Sequence, residues 1–267
     1  MKNSVIRTLT LAAASGLLVC SQVSAFSAFT DDFNSYTTGN VIVGEPGSDW
    51  LNGAGDTQTG GLQTLAAAEE SPFTGIVGGK SGKLDDSSST LGQGMGLIYS
   101  SNSGSDEVTI QFDYYFSNLV GFAPYVIAND GVGSGIFLAL AKVDAGSGTG
   151  YSIASHNPGN TFTMLADVAL STWYRVTVIG SAVTDTYDVR LQEFGGSESV
   201  IGTNRPFRTG VPTLNRFSFI ENNGNTATGI YTIDNVSIIP EPGTYAATFG
   251  LLGLGLVLGR RRIVRRS

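Results

Sequence analysis

The sequence holds one cysteine, Cys20, one histidine, His156, and three methionines in 267 residues. A lone cysteine cannot close a disulfide within the chain, so stability has to come from core burial, with bound metal as a possible supplement. The histidine sits in Ser155-His156-Asn157-Pro158-Gly159, a turn-like stretch. No motif supplies a serine nucleophile or an acidic partner for a triad, so the reading is a surface turn rather than a catalytic base. Charge is scarce as well, at 14% of residues. Long helix formers are few, internal repeats are absent, and no Leu-Pro-x-Thr-Gly sortase signal or aspartate-rich EF-hand loop occurs. The glycine series at Gly92, Gly94 and Gly96 and at Gly131, Gly133 and Gly135 lack the spacing of a phosphate loop and read as turns or loops.

The charges that exist are unevenly placed. Lys2 and Arg7 precede an apolar stretch from Leu9 to Val19, and Val23-Ser24-Ala25 ends it with small residues, the pattern of a secretory leader with a mature start at Phe26. Val19 before Cys20 is not the small residue that a lipoprotein signal requires. Between the leader and Pro240, eight Lys and Arg face 21 Asp and Glu, a net charge near −13. Such a surface disfavours nucleic acid, which needs a basic face. It suits a secreted protein, and it suits calcium.

The last 28 residues run Pro240-Glu241-Pro242, an uncharged stretch from Gly243 to Gly259, and then Arg260, Arg261, Arg262, Arg265 and Arg266. A helix over that stretch spans about 25 Å, the short end of what crosses a bilayer, and the arginines would stay cytoplasmic. The prolines keep the segment around Glu241 extended and exposed. This order resembles the PEP-CTERM sorting signal. The resemblance implies recognition by an exosortase-type membrane protease, cleavage near the Pro-Glu-Pro, and delivery to the cell surface or an extracellular matrix. Pro240, Glu241, Pro242, Arg260, Arg261 and Arg262 are the residues that would carry it.

Residues 26–239 are rich in Gly, Ser, Thr, Asn and aromatics with turns at short intervals, which predicts a single all-β domain. Glu107 to Phe116 alternates, with Val108, Ile110, Phe112, Tyr114 and Phe116 on one face and Gln111, Asp113 and Tyr115 on the other. Tyr174, Val176 and Val178, then Tyr187, Val189 and Leu191, form two further apolar faces joined by a turn at Val183-Thr184-Asp185. Ile136 to Val143 is apolar on both sides. Arg216 to Ile220 and Ile230 to Ile239 are expected to form a hairpin across Asn222-Asn223-Gly224-Asn225. Asp31-Asp32-Phe33, Thr172-Trp173-Tyr174-Arg175-Val176 and Tyr231-Thr232-Ile233-Asp234-Asn235-Val236 give the chain a resemblance to concanavalin A-like or LamG-like jelly rolls. The expected fold is thus a two-sheet antiparallel jelly-roll sandwich over 26–239, with an N-terminal signal helix over 1–25 and a C-terminal transmembrane helix within 240–267.

The resemblance also implies that the first and last strands pair, placing Phe29 to Phe33 beside Ile230 to Ile238. Asp31 then shares a face with Phe29 and Phe33, and Asp234 with Ile230, Val236 and Ile238. A carboxylate on an inward face needs hydrogen bonds or a cation. A structural calcium held by Asp31 and Asp234 is one answer, and one that carbohydrate-binding jelly rolls suggest. Turn caps, backbone hydrogen bonds, or a bulge at Asp234-Asn235 that turns the side chain outward are the others.

For function, the glycosidase pattern Glu-x-Asp-x-x-Glu is missing, and Glu69-Glu70 and Asp85-Asp86 read as solvated loop pairs. No enzyme motif is present. Sugar binding needs aromatic faces beside polar groups, and Tyr115 and Trp173 stand on the polar faces of their strands, with Trp50 and Tyr125 as further loop candidates. The expectation is a non-catalytic carbohydrate- or matrix-binding protein. Its partners would be an exosortase, an extracellular polysaccharide, and the membrane through the C-terminal helix before processing. A structural surface protein without a glycan ligand, or a polysaccharide hydrolase or lyase with an unrecognised site, remain alternatives.

Overall fold

Alternation of apolar and polar side chains produces strands along nearly all of the chain that the computed structural model describes, namely residues 29–43, 45–52, 65–67, 70–74, 79–86, 94–98, 107–119, 124–143, 150–220 and 229–240. In chain order the strands begin with β1 (Phe29–Asp31), β2 (Leu51–Asn52), β3 (Leu65–Ala67), β4 (Ser81–Asp86), β5 (Gly94–Ile98), β6 (Glu107–Leu119), β7 (Tyr125–Asn129) and β8 (Ile136–Val143). They continue with β9 (Tyr151–Asn157), β10 (Thr161–Val168), β11 (Trp173–Ser181), β12 (Thr186–Glu193), β13 (Ser199–Pro206), β14 (Arg216–Ile220) and β15 (Gly229–Pro240). An eight-stranded sheet runs β13-β12-β11-β6-β15-β4-β3, with β1 also paired to β15. A seven-stranded sheet runs β10-β9-β8-β7-β14-β5-β2. Every pairing is antiparallel.

The core lies between the sheets. Val108, Ile110, Phe112, Tyr114 and Phe116 of β6 are buried, as the alternation predicts, and so are Tyr174, Val176 and Val178 of β11 and Tyr187, Val189 and Leu191 of β12. Phe112 meets Phe217 and Phe219 of the opposite sheet at ring-centroid distances of 6.3 and 5.1 Å. Two hydroxyls of this layer are paired: Tyr114 donates to the Leu140 carbonyl at 3.2 Å, and the hydroxyls of Tyr187 and Ser155 lie 2.7 Å apart. Burial pushes the Tyr187 hydroxyl up to about 12.

The first and last strands do meet, with Phe29 opposite Ile238 and Asp31 opposite Val236. The hairpin expected between Arg216–Ile220 and Gly229–Pro240 does not form. β14 pairs with β5 and β7 in one sheet, while β15 pairs with β6, β4 and β1 in the other. The two strands, consecutive in sequence, thus lie in different layers. Gly94 and Gly96, expected in a loop, belong to β5, and Asp85-Asp86 ends β4.

The leader over 1–25 and the span from Gly243 to Gly259 lie outside the described residues, as do Glu241, Pro242, Arg260, Arg261 and Arg262. Pro240 ends β15 opposite Val108. Among the described residues the only helical turn is Pro72–Thr74, and no helix is long and apolar enough to cross a membrane.

Candidate functional site

Two rows of side chains cross the outer face of the eight-stranded sheet. One row is Trp173 on β11, Tyr115 on β6, Thr232 on β15 and Lys83 on β4, each opposite the next. The other, two residues along, is Arg175, Asp113 and Asp234. The strand alternation that sends Tyr114 and Tyr174 into the core sends these residues outward.

The first row carries a hollow. Tyr115 and Trp173, the two sugar-binding candidates read from the sequence, are direct cross-strand neighbours with ring centroids 5.4 Å apart and planes tilted by 34°. Both are half-buried. With Glu70, Lys83, Ser117 and Ile230 they line a space of about 360 Å³. Glu70 is no free loop charge. Its Oε2 accepts the Gly79 N–H at 2.7 Å, and the Thr74 hydroxyl donates to its Oε1 at 3.4 Å. The combination of two ring faces, a carboxylate, an ammonium and a hydroxyl can pack the C–H side of a sugar and bond its hydroxyls.

The second row is sealed. Asp113 is fully buried and Asp234 is 2% exposed. Arg175 grips Asp113 at two points, Nε to Oδ1 at 2.7 Å and Nη2 to Oδ2 at 3.0 Å, and Asn235 Nδ2 donates to Oδ2 at 2.7 Å. Asp234 accepts the N–H groups of Ser71 at 2.8 Å and Asn235 at 2.7 Å. Burial, reinforced by the Asp113 and Glu70 carboxylates and opposed by those two N–H donors, pushes Asp234 up to about 7. Neither acid can touch a ligand in the hollow with Ser71 in place.

Asp234 reaches this position through a bulge. Asn235 adopts φ +50°, the register on β6 slips between Asp234 and Ser237, and the inward set changes from Tyr231 and Ile233 to Val236 and Ile238. Asp234 therefore shares the outer face with Ile230 and Thr232, and not the inner face with Val236 and Ile238. Asp31 is answered separately: its Oδ2 accepts Tyr36 Oη and Trp50 Nε1, each at 2.6 Å, and its Oδ1 accepts the Phe33 N–H at 2.8 Å. Each member of the expected calcium pair has its own protein donors, so burial of these carboxylates does not call for an ion. Among the described residues no group of three or more His, Cys, Asp or Glu side chains is placed to hold a metal.

Three further expectations change. Trp50 and Tyr125 are 1% and 4% exposed, so neither offers a face to a ligand. His156 is not in a surface turn. It ends up in β9, 7% exposed, stacked on Phe162 at 4.2 Å and edge-on to Phe137 at 4.6 Å. Burial, with the Arg208 and Lys142 charges, lowers its pKa. Conversely, Glu70, Lys83, Ser71, Phe73 and Phe194 were not legible as site residues.

No protein-family model matches the sequence, and no curated protein matches it as a relative. Among solved structures the chain is similar to a sialidase at 14% identity and a TM-score of 0.52, over 84% of this chain but 19% of the sialidase, so it spans about a fifth of that protein's length. It is also similar to domain 4 of AbnA, a GH43 extracellular arabinanase from Geobacillus stearothermophilus, solved with arabinotriose, at 14% identity and a TM-score of 0.50, over 85% of this chain and 97% of that one. At such identity the likeness is one of fold, an all-β sandwich of two antiparallel sheets of jelly-roll type.

Proposed function

We propose that this is an exported, non-catalytic β-sandwich protein that holds a polysaccharide in the hollow beside Tyr115 and Trp173. The observation that carries the reading is the cross-strand pair of half-buried rings, flanked by Glu70, Lys83 and Ser117 on an otherwise polar sheet face. The AbnA domain was solved with arabinotriose, which is compatible with a sugar ligand on this kind of fold. Export rests on the leader, and sorting by an exosortase-type protease rests on Pro240-Glu241-Pro242, the apolar stretch and the terminal arginines. In this reading the membrane holds the chain only before processing.

Glycan-array binding by the purified protein, lost in both Tyr115→Ala and Trp173→Ala with the fold intact, is the expected result. Binding that survives both substitutions, or is absent from the unsubstituted protein, removes the assignment and leaves a structural surface protein. Cell fractionation tests the address independently. Replacing Arg260, Arg261 and Arg262 by Gln is expected to abolish surface delivery, and unchanged delivery would remove the sorting reading.

A further inference from the structure

Ser71 and the turn Pro72–Thr74 belong to neither sheet, yet they lie over the outer face between the two rows described above. Ser71 is fully buried. Its main-chain N–H donates to Asp234 Oδ2 at 2.8 Å and its hydroxyl to Asp113 Oδ2 at 2.7 Å. Those acceptors are direct cross-strand partners on β15 and β6, at the centre of the sheet. One residue thus gives both of its donors to two carboxylates that other groups already hold rigidly. The hydroxyl oxygen also accepts the Phe73 N–H at 3.3 Å, so the same anchor fixes the turn.

On either side of the anchor the segment presents a different group. Phe73 lays its ring on the Arg175 guanidinium, 4.5 Å from the ring centroid, and meets Phe194 edge-on at 5.5 Å. Phe194 donates its own N–H to the Trp173 carbonyl at 3.0 Å. Glu70, immediately before the anchor, lines the hollow together with the two rings.

We propose that Ser71 is the positioning residue of this site, holding Glu70 in the lining of the hollow that Tyr115 and Trp173 share, and Phe73 against Arg175, through its paired bonds to Asp113 and Asp234. The effect on a ligand rests on the glycan reading given above, whereas the anchor is a property of the free protein. Loss of the Ser71 hydroxyl leaves Asp113 with Arg175 and Asn235 as donors, so the sheet keeps its paired charges. What loosens is the segment that walls the hollow. A serine that served only to satisfy buried acids would affect stability and leave the surroundings of Trp173 unchanged.

Iodide quenching of tryptophan fluorescence reads this directly, because Trp50 is 1% exposed and Trp173 is half-buried. In Ser71→Ala the quenching constant of the accessible fraction is expected to rise at least twofold, and amide exchange of residue 71, Phe73 and Gly79 at least tenfold, with the near-ultraviolet circular dichroism of the core retained. Unchanged quenching and exchange in a folded variant overturn the proposal. If that variant does not fold, the unsubstituted protein decides: the Ser71 amide is expected to exchange within tenfold of the Tyr114 amide, and rapid exchange overturns the anchor. Native gels containing linear arabinan or hydroxyethylcellulose separate the two readings. Retardation of the unsubstituted protein that weakens at least fivefold in Ser71→Ala supports both. Equal retardation with unchanged quenching removes the anchor alone, and no retardation with increased quenching removes the glycan ligands tested and keeps the anchor.

Discussion

Arg175 and Asp113 face each other across β11 and β6 in a two-point ion pair whose acid is fully buried and whose base is 24% exposed. Replacing Arg175 by Met removes the cation and leaves the carboxylate under Ser71 with neutral donors. A buried charge stripped of its partner typically costs about 3–5 kcal/mol, and the partial exposure of Arg175 places this case at the lower end. Urea denaturation should show that loss in Arg175→Met. A single variant as stable as the parent would mean that the pair contributes nothing.

Phe112 joins the two sheets through Phe217 and Phe219. Phe112→Ala is expected to destabilise the sandwich by about 3–5 kcal/mol, since the facing rings cannot collapse into the space without distorting both sheets. Trp173→Ala, on the outer face, should cost much less. Thermal melts of the two variants side by side give the comparison.

The alternation that makes Phe112 a core residue was readable from the sequence, and so was the β11–β12 hairpin, because each depends on a local period of two; the pairing of the terminal strands came from the jelly-roll resemblance instead. Tyr115 and Trp173 were legible for the same reason: parity put both on the outer face. Parity says nothing about which strand lies next door, so the destination of β14 in the opposite sheet was not legible, and the Asn-Gly pair suggested a hairpin instead. His156 was misplaced because Pro158 and Gly159 mark the turn, whereas β9 continues through Asn157 before it. Ser71 carried no signal at all. Its role comes from two acids 42 and 163 residues away in sequence.

Asp234 sets one slope in the dependence of stability on pH. Its folded pKa, about 7, lies above the ordinary carboxylate value of 3.8, so the folded state binds the proton more tightly than the unfolded state. Its contribution is full below pH 4 and is lost as pH rises through 7, on the order of 4 kcal/mol between those limits as an upper bound. Asp234→Asn keeps an acceptor for the Ser71 N–H and has no proton to lose. Denaturation between pH 8 and pH 4 should therefore show the variant without the gain on acidification that Asp234 gives the parent, and parallel curves would remove Asp234 as the source.

His156 works in the opposite sense over an overlapping range. Its ring is packed between Phe137 and Phe162, and Arg208 and Lys142 lie over the neighbouring rings, so the neutral form is the one that folding favours. A lowered folded pKa means that its contribution is full above the unfolded value of 6.5 and is lost as the pH falls below it. Phe at this position removes two buried polar nitrogens and preserves the ring stack. His156→Phe is expected to gain about 1–2 kcal/mol at pH 7 and more at pH 5, where the parent must exclude a proton that the unfolded chain accepts. In Asp234→Asn the histidine slope stands alone, so that variant should lose stability on acidification more steeply than the parent, and the double variant should be nearly flat from pH 5 to pH 7. A double variant that keeps the parent's curvature would place the titrating groups elsewhere in the sandwich.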